Sequence, residues 1–334
     1  MLDSRLMAAA RRVVLVTSTE YKKAEGVFRS EPALQCVCAP DSETDLADAI
    51  RDARASHVVV GSRSYVGSLY EALPAGAVIA RFGVGHDGID TVKATAAGLL
   101  CTNTPGVLDR SVAEHTMLLI GAAARTLVTM SVSIARHGWD QLIGAELEGK
   151  TLAIVGCGGI GRAVARIASA GYGMAVVGCC RPDAPPPAAL PHFREVTTDF
   201  AAAVRRADFV SLHMSASRDN VRWLNRERVA LLGERTWLIN TARGSLVDEA
   251  ALFAALAEGR LGGAALDVFA HEPYVPAEPA ADLRSLANVI MTPHVASNTA
   301  EANRRMAERA LQNIALAESG AFDRMDLLNR DVLT

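Results

Sequence analysis

The sequence predicts an α/β protein with two parallel sheets, each covered by helices. Short apolar runs alternate with longer segments of helical period, which is typical of βαβ units. This alternation occurs in two separate regions of the 334 residues, a length that exceeds what one ordinary hydrophobic core needs. A glycine-rich loop opens the second region, near the middle of the chain. We therefore expect two domains.

Residues 1–12 lead directly into the apolar run Val13–Val16 and not into a cleavage site. They are therefore expected to be part of the fold and not a cleaved leader. Apolar residues at helical spacing within 41–53 predict an amphipathic helix between strands. The four strand candidates are Arg12–Val16, Leu34–Cys38, His57–Val60 and Val78–Phe82.

The second region contains six strand candidates, the number found in a complete dinucleotide-binding sheet. They are Leu152–Val155, Met174–Val177, Asp208–Leu212, Thr236–Asn240, Gly263–Val268 and Val289–Met291.

Two long helices frame the second region. Ser111 and Glu114 have the spacing of a capping box, which predicts a helix start at Ser111. A second helix, predicted over Thr299–Glu318, comes too late in the chain to start a domain. We expect it to pack on the first region, which makes that domain discontinuous. The proline-rich segment 184–189 is predicted to be a solvated loop.

The composition favours small molecules as partners. The net charge of -3 is spread without blocks, which argues against nucleic acid or an anionic membrane as a partner. The six cysteines form no CxxC pair and no cluster with histidine, so we expect reduced thiols in a cytoplasmic protein, with no metal site. No apolar run approaches the roughly 20 residues that span a bilayer.

The glycine loop has the pattern G-x-G-x-x-G between an apolar strand and a helix predicted from Arg162 to Ala170. In that context the first glycine makes a tight turn, the second lets the backbone approach a pyrophosphate, and the third lets helix and strand pack closely. The sequence therefore predicts dinucleotide binding by Gly156, Gly158, Gly159, Ile160 and Gly161.

The strand after this loop indicates which dinucleotide is preferred. It ends at Cys180 and Arg181, without the acidic residue that would hold the adenosine ribose hydroxyls of NAD. A neutral residue followed by arginine accommodates a 2′-phosphate, so NADP is favoured over NAD. The alternative is that Arg181 stacks on adenine or points into solvent.

Three charged residues each follow a predicted strand of the second region, where ligands gather in open α/β sheets. Arg243 lies in Asn240–Glu249, Glu272 follows Gly263–Val268, and His294 closes Thr292-Pro293-His294. With Arg81–Asp90, Thr104-Pro105-Gly106, Val112-Ala113-Glu114 and Ala207–His213, these motifs resemble the D-isomer-specific 2-hydroxyacid dehydrogenase family along nearly the whole chain.

The resemblance implies a Rossmann coenzyme domain, residues 104–296, inserted into a flavodoxin-like substrate domain of residues 1–103 plus 297–334. It implies that His294 is the general acid for a 2-oxo acid and that Glu272 hydrogen-bonds and orients its imidazole. Arg243 would bind the substrate carboxylate and polarise the carbonyl.

The remaining implied contacts are to the cofactor and to the substrate carboxylate. Asp267 would accept from the nicotinamide carboxamide, while His213, Thr241 and Ala242 would line the cofactor. The amides of Val84 and Gly85 would cradle the carboxylate, with Arg63 and Ser64 nearby. Ser215 and Asn220 replace the usual proline and threonine of the family, which leaves the geometry of that loop open.

Within the family, Glu272 argues against a formate dehydrogenase and Val84 against a phosphite dehydrogenase. The expected substrate is a small 2-oxo acid such as glyoxylate or hydroxypyruvate, reduced to the D-hydroxy acid. A dinucleotide-sensing corepressor of the same fold stays an alternative. The resemblance also implies a homodimer, in which Trp139 either reaches a neighbouring subunit or packs in the core.

Overall fold

The computed structural model describes residues 12–183 and 190–334; the predicted N-terminal part of the fold before residue 12 and the proline-rich loop 184–189 lie outside the described residues. The described chain forms two compact units. Unit 1 comprises residues 12–108 and 298–334, and unit 2 comprises residues 109–297. The boundaries drawn from the sequence fall after residues 103 and 296.

Unit 1 contains a five-stranded parallel sheet with the strand order β2-β1-β3-β4-β5, which is the flavodoxin-like order. Its four predicted strands are present, and a short fifth strand that the sequence analysis missed completes the sheet. The strands are β1 Arg12–Thr17, β2 Leu34–Ala39, β3 His57–Val60, β4 Val78–Arg81 and β5 Leu100–Thr102.

Unit 2 contains a seven-stranded parallel sheet. Its strands are β6 Thr151–Val155, β7 Ala175–Cys179, β8 Glu195–Thr197, β9 Phe209–Leu212, β10 Trp237–Asn240, β11 Gly263–Leu266 and β12 Val289–Met291. The order β12-β11-β10-β9-β6-β7-β8 is that of a Rossmann sheet with one added strand. The predicted number of six is wrong because β8, a polar edge strand without buried residues, has no hydrophobic signal.

Helices connect the strands. They are α1 Ser18–Lys23, α2 Glu25–Ser30, α3 Glu43–Ala53, α4 Ser68–Ala72, α5 Thr91–Ala96, α6 Asp109–Ala124, α7 Leu127–Ala135, α8 Gly159–Tyr172, α9 Phe200–Val204, α10 Arg226–Val229, α11 Glu249–Ala257 and α12 Ala300–Glu318. The fold class predicted from the sequence is confirmed: unit 2 is a Rossmann unit, and the discontinuous unit 1 has the flavodoxin-like sheet.

The predicted start of α6 is wrong by two residues. The helix begins at Asp109, and Ser111 lies inside it, where its hydroxyl donates to the carbonyl of Ala296 at 3.0 Å. The capping box with Glu114 therefore does not form, and Ser111 instead ties α6 to the loop after β12.

Each sheet is buried between its helices. The central strands β3, β4, β9 and β11 are buried at every position, as parallel sheets require when helices cover both faces. Within the described residues, no single helix has the length and apolar composition to cross a membrane; α6 and α7 meet that test only as a pair bent by 68°.

Candidate active site

The glycine loop leads from β6 into α8, at the point in unit 2 where the strand order reverses. Gly156 has a φ of 100°, and a Cβ there would lie 2.7 Å from the carbonyl carbon of His213, so only glycine makes this turn. A Cβ at Gly161 would overlap the carbonyl oxygen of Gly156, which shows how closely α8 approaches β6. Both glycines are required by packing.

Gly158 differs from those two because a Cβ there would meet nothing within 4 Å. It is exposed and caps α8, whose first amides, including those of Gly159 and Ile160, point out of the helix N-terminus. Open space beside the amides of a helix N-terminus is what a dinucleotide pyrophosphate needs, so the residues present fit that group.

One acidic group lies close to this loop. The carboxylate of Asp109, the first residue of α6, contacts the position that a Cβ of Gly159 would take. Burial raises the pKa of Asp109. Asp109 could not be linked to the glycine loop from the sequence, because it lies 50 positions before Gly159 and belongs to no motif.

The end of β7 carries the two residues expected to determine the preferred dinucleotide. Cys180 continues the ladder, since its amide donates to the carbonyl of Thr197 at 2.9 Å. Arg181 is 76% exposed and lies 3.5 Å from the carboxylate of Asp183. The arginine thus has an acidic neighbour that the sequence analysis did not weigh.

His213 and Thr241 follow the neighbouring strands β9 and β10. His213 packs its backbone against Gly156, and its Nε2 lies 2.8 Å from the hydroxyl of Ser211. Burial lowers the pKa of His213 to about 3, so its imidazole is neutral. Thr241 is buried and bonds Thr116 of α6 at 2.9 Å between hydroxyls. The predicted cofactor residues thus lie along the carboxyl edge of one sheet.

The substituted loop after His213 is well defined. The side chain of Asn220 accepts from the amide of Ser217 at 2.7 Å and donates to the carbonyl of Ser215 at 2.7 Å. Asn220 therefore closes the loop by bonding both Ser215 and Ser217.

Glu272 and His294 form a tight pair in unit 2. The Oε2 of Glu272 lies 2.6 Å from Nδ1 of His294, and the two side chains are 34% and 29% exposed. An ionised carboxylate only accepts, so Nδ1 is the donor and Nε2 of His294 is the atom left for another partner. This is the geometry of an oriented, half-exposed acid or base.

The loop that carries His294 is organised by Asp267, which is fully buried. Its carboxylate accepts from the hydroxyl of Thr292 at 2.6 Å and from the amides of Val295 and Ala296 at 2.9 and 2.8 Å. Burial acts to raise the pKa of Asp267, but hydrogen bonds from His115, Thr292 and those amides outweigh it and leave the pKa below its usual value. The predicted contact with the nicotinamide stays a prediction, whereas the observed contacts make Asp267 an anchor of the loop.

Arg243 lies after β10 in extended backbone, with its Nη1 donating to the carbonyl of Ala242 at 2.7 Å. Ala242 in turn is fixed by its amide, which donates to Asn240 at 3.0 Å. A Cβ at Gly244 would overlap the carbonyl carbon of Phe269, so the loop after Arg243 touches the segment that leads to Glu272.

The predicted carboxylate-binding residues lie in unit 1, on two loops that contact each other. Gly88 packs directly on the backbone of Arg63, and its carbonyl accepts from the amide of Tyr65 at 2.9 Å. The carbonyl of Val84 accepts from Asn103 at 2.7 Å, and that of Gly85 accepts from Arg81 at 2.8 Å. With both carbonyls held, the loop is fixed; Arg63 and Ser64 themselves are exposed.

Comparison with known proteins adds independent findings. The family model described as D-isomer specific 2-hydroxyacid dehydrogenase, NAD binding domain, matches residues 117–296. The glyoxylate reductase of Thermococcus litoralis is 38% identical over 275 residues, which cover 80% of this chain and 81% of that protein. The hydroxypyruvate reductase of Thermotoga maritima is 39% identical over 240 residues, covering 71% and 76%.

This chain belongs to the D-isomer-specific 2-hydroxyacid dehydrogenase family. Among solved structures, it is similar to the NADPH-dependent glyoxylate/hydroxypyruvate reductase of Sinorhizobium meliloti in complex with NADP and malonate, with a TM-score of 0.79 and 30% identity. That similarity covers 93% of this chain and 94% of the other. The chain is accordingly an NAD(P)-dependent D-2-hydroxyacid dehydrogenase.

Proposed function

We propose that the protein reduces a 2-oxo acid of the glyoxylate and hydroxypyruvate class to the D-2-hydroxy acid, with NADPH as the preferred reductant. The observation that carries this proposal is the 2.6 Å pair of Glu272 and His294 on a sheet whose glycine loop fits a dinucleotide. Relatives named for glyoxylate and hydroxypyruvate reduction support the substrate class.

His294 supplies the proton in this proposal. Because Nδ1 is engaged by Glu272, the proton leaves from Nε2 and goes to the carbonyl oxygen of the substrate. The negative charge of Glu272 stabilises the imidazolium before transfer and keeps the ring oriented afterwards. A nicotinamide coenzyme, when bound, supplies the hydride.

Arg243 binds the substrate carboxylate and polarises the carbonyl, which its planar pair of N–H donors suits. The amides of Val84 and Gly85 complete carboxylate binding, assisted by Arg63 and Ser64. The cofactor is held by the glycine loop, with Cys180, Arg181, His213, Thr241, Ala242 and Asp267 as further contacts.

The preference for NADPH rests on Cys180 and Arg181. No carboxylate occupies the residue directly after β7, so nothing there repels a 2′-phosphate, and the exposed Arg181 is available to pair with it. Asp183 competes for the same guanidinium at 3.5 Å, so we expect a preference and not an absolute selection.

We also infer that the protein is a homodimer. None of the nine residues of α7 is buried, although most are apolar, and the exposed apolar side chains continue beyond it at Trp139, Leu142 and Ile143. A run of exposed apolar residues along one segment is typical of an interface, and a second copy of the chain is the partner we propose. The core-packing alternative for Trp139 is disfavoured because its side chain is 78% exposed.

The six free thiols support a reducing cytoplasm as the location of the protein.

The test is an assay of nicotinamide absorbance with NADPH and NADH, each against glyoxylate, hydroxypyruvate, pyruvate, and branched and aromatic 2-oxo acids. We expect the highest kcat/KM with NADPH and one of the first two acids, and formation of the D-hydroxy acid. Higher kcat/KM with the branched or aromatic acids would contradict the proposed substrate class.

A further inference from the structure

Glu249, the first residue of α11, is a buried carboxylate outside the proposed catalytic set. The residue is 8% exposed, and its Oε1 accepts from the backbone amide of Ala270 at 2.7 Å. Its Oε2 has no hydrogen-bond partner among the described residues. Removing a carboxylate from water is costly, so a buried one with a single amide partner needs an explanation.

The amide of Ala270, which Glu249 binds, belongs to the turn Phe269–Glu272. In this turn the amide of Phe269 donates to Oε1 of Glu272 at 3.0 Å, while Oε2 of Glu272 contacts Nδ1 of His294. Two consecutive amides, of Phe269 and Ala270, are therefore held by two different carboxylates. One of these carboxylates orients His294, and the other comes from α11.

The same turn is also fixed sterically. The backbone at Phe269 and Ala270 lies so close to Gly244 that a Cβ on this glycine would overlap it. Because the turn already touches the loop after Arg243, any shift of Ala270 would change the position of Glu272 relative to that loop. The hydrogen bond from Ala270 to Glu249 opposes such a shift.

We propose that Glu249 is a positioning residue for the Glu272–His294 pair, acting by holding the Ala270 amide and with it the turn that carries Glu272. The proposal rests on the proposed role of His294 as the acid. Burial raises the pKa of Glu249, and Glu272 adds to this effect, whereas the amide of Ala270 and the nearby His271 oppose it. Either protonation state leaves Oε1 able to accept the bond, so acceptor geometry is the feature that matters.

A simpler explanation is that Glu249 only stabilises α11, since acidic residues are favourable in a first helical turn. The neighbouring Asp248 separates the two explanations. Asp248 is the N-cap of the same helix, with its Oδ1 accepting from the amide of Ala251 at 3.0 Å, and none of its side-chain hydrogen bonds in the described structure reaches the turn. Asp248→Ala therefore weakens the helix without releasing Ala270.

The experiment compares wild type with Glu249→Ala, Glu249→Gln and Asp248→Ala in kcat, KM and thermal unfolding. We expect kcat to fall about 10- to 100-fold in Glu249→Ala, the scale that small misplacements of catalytic groups produce, with the Kd for NADPH nearly unchanged. Glu249→Gln, whose amide oxygen still accepts from Ala270, should restore kcat to within about threefold of wild type. Asp248→Ala should lower Tm and leave kcat unaltered.

A second readout needs no substrate. The ¹⁵N chemical shifts of the His294 ring report which nitrogen carries the proton, and the contact with Glu272 favours the Nδ1–H tautomer. We expect this tautomer preference to weaken in Glu249→Ala and to persist in Glu249→Gln and Asp248→Ala. Shifts and kcat identical to those of wild type in a folded Glu249→Ala would overturn the proposal. Absence of 2-oxo acid turnover in wild type would contradict the proposed function alone, because the tautomer measurement still decides the role of Glu249.

Discussion

His294 holds a backbone conformation that most residues avoid. Its φ is 53°, in the left-handed region, which costs a residue other than glycine about 1–3 kcal/mol. The amide of His294 donates to the carbonyl of Asp267 at 2.8 Å, and the next two amides donate to the Asp267 side chain. The fold compensates for this strain with hydrogen bonds, at the residue whose ring faces Glu272.

This conformation shapes the first prediction. Replacing His294 removes the proposed proton donor, so we expect kcat to fall about 10²- to 10⁴-fold in His294→Ala and His294→Asn alike. Asparagine tolerates the left-handed region better than alanine, so His294→Asn should keep a Tm closer to wild type. Titration of NADPH by fluorescence should show nearly unchanged affinity in both. A large loss of NADPH affinity in the asparagine variant would mean that His294 serves cofactor binding.

The second prediction at the residue scale concerns the role of Arg181 in dinucleotide preference. If its guanidinium pairs with the 2′-phosphate, Arg181→Ala should raise the Kd for NADPH about tenfold, the size of one charge-assisted hydrogen bond, and leave that for NADH unaltered. Asp183→Asn removes the competing carboxylate and should strengthen NADPH binding modestly. Equal weakening toward both dinucleotides in Arg181→Ala would instead support stacking on adenine.

At the scale of elements, β3 and the end of α12 are joined by a buried histidine. His57 is 3% exposed, and its Nδ1 accepts from the amide of Val78 at 3.0 Å, so Nε2 carries the proton toward Glu318 at 2.9 Å. The ring is therefore a neutral link between three elements of unit 1: β3, β4 and α12.

We expect this link to make folding stability depend on pH. Burial lowers the pKa of His57 despite the nearby Glu318, so the unfolded chain binds a proton more readily than the folded one. The stabilisation is present above the unfolded pKa of about 6.5 and is lost as pH falls through the lower folded pKa. Urea unfolding between pH 8 and pH 5 should show a smaller loss of stability for His57→Gln than for wild type. Parallel curves would show that His57 does not contribute.

The elements show how far local sequence patterns lead. Buried strands such as β6 and β9 are short, mostly apolar runs that can be recognised in the sequence. Thr299 caps α12, as its residue type suggests. By contrast, β8 and the three-residue β5 depend on pairing with neighbours that are distant in sequence. The start of α6 was missed for a similar reason, because the hydroxyl of Ser111 bonds Ala296, 185 positions away. Local patterns carry no information on such contacts.

At the scale of the whole molecule, the candidate site also contains residues that the sequence predicts and supporting contacts that it does not. Arg243, Glu272 and His294 could be proposed from the sequence because each follows a strand in a family motif. The residues that support them could not, because Glu249 reaches Ala270 and Gly244 reaches Phe269 only once β10 and β11 lie side by side. Supporting contacts of this kind become visible only in the folded chain.

The exposed apolar surface of unit 2 leads to the last prediction. Ile143 is 97% exposed and lies at the end of the apolar segment that begins in α7, so an aspartate there would place a charge within the proposed dimer interface. Light scattering coupled to size-exclusion chromatography should give a dimer for wild type and a concentration-dependent shift to monomer for Ile143→Asp. Val92→Asp is the matched control, because Val92 is 76% exposed at the start of α5 in unit 1, outside that surface. A wild-type monomer at micromolar concentration would refute the dimer, and a shift in both variants would place the interface elsewhere.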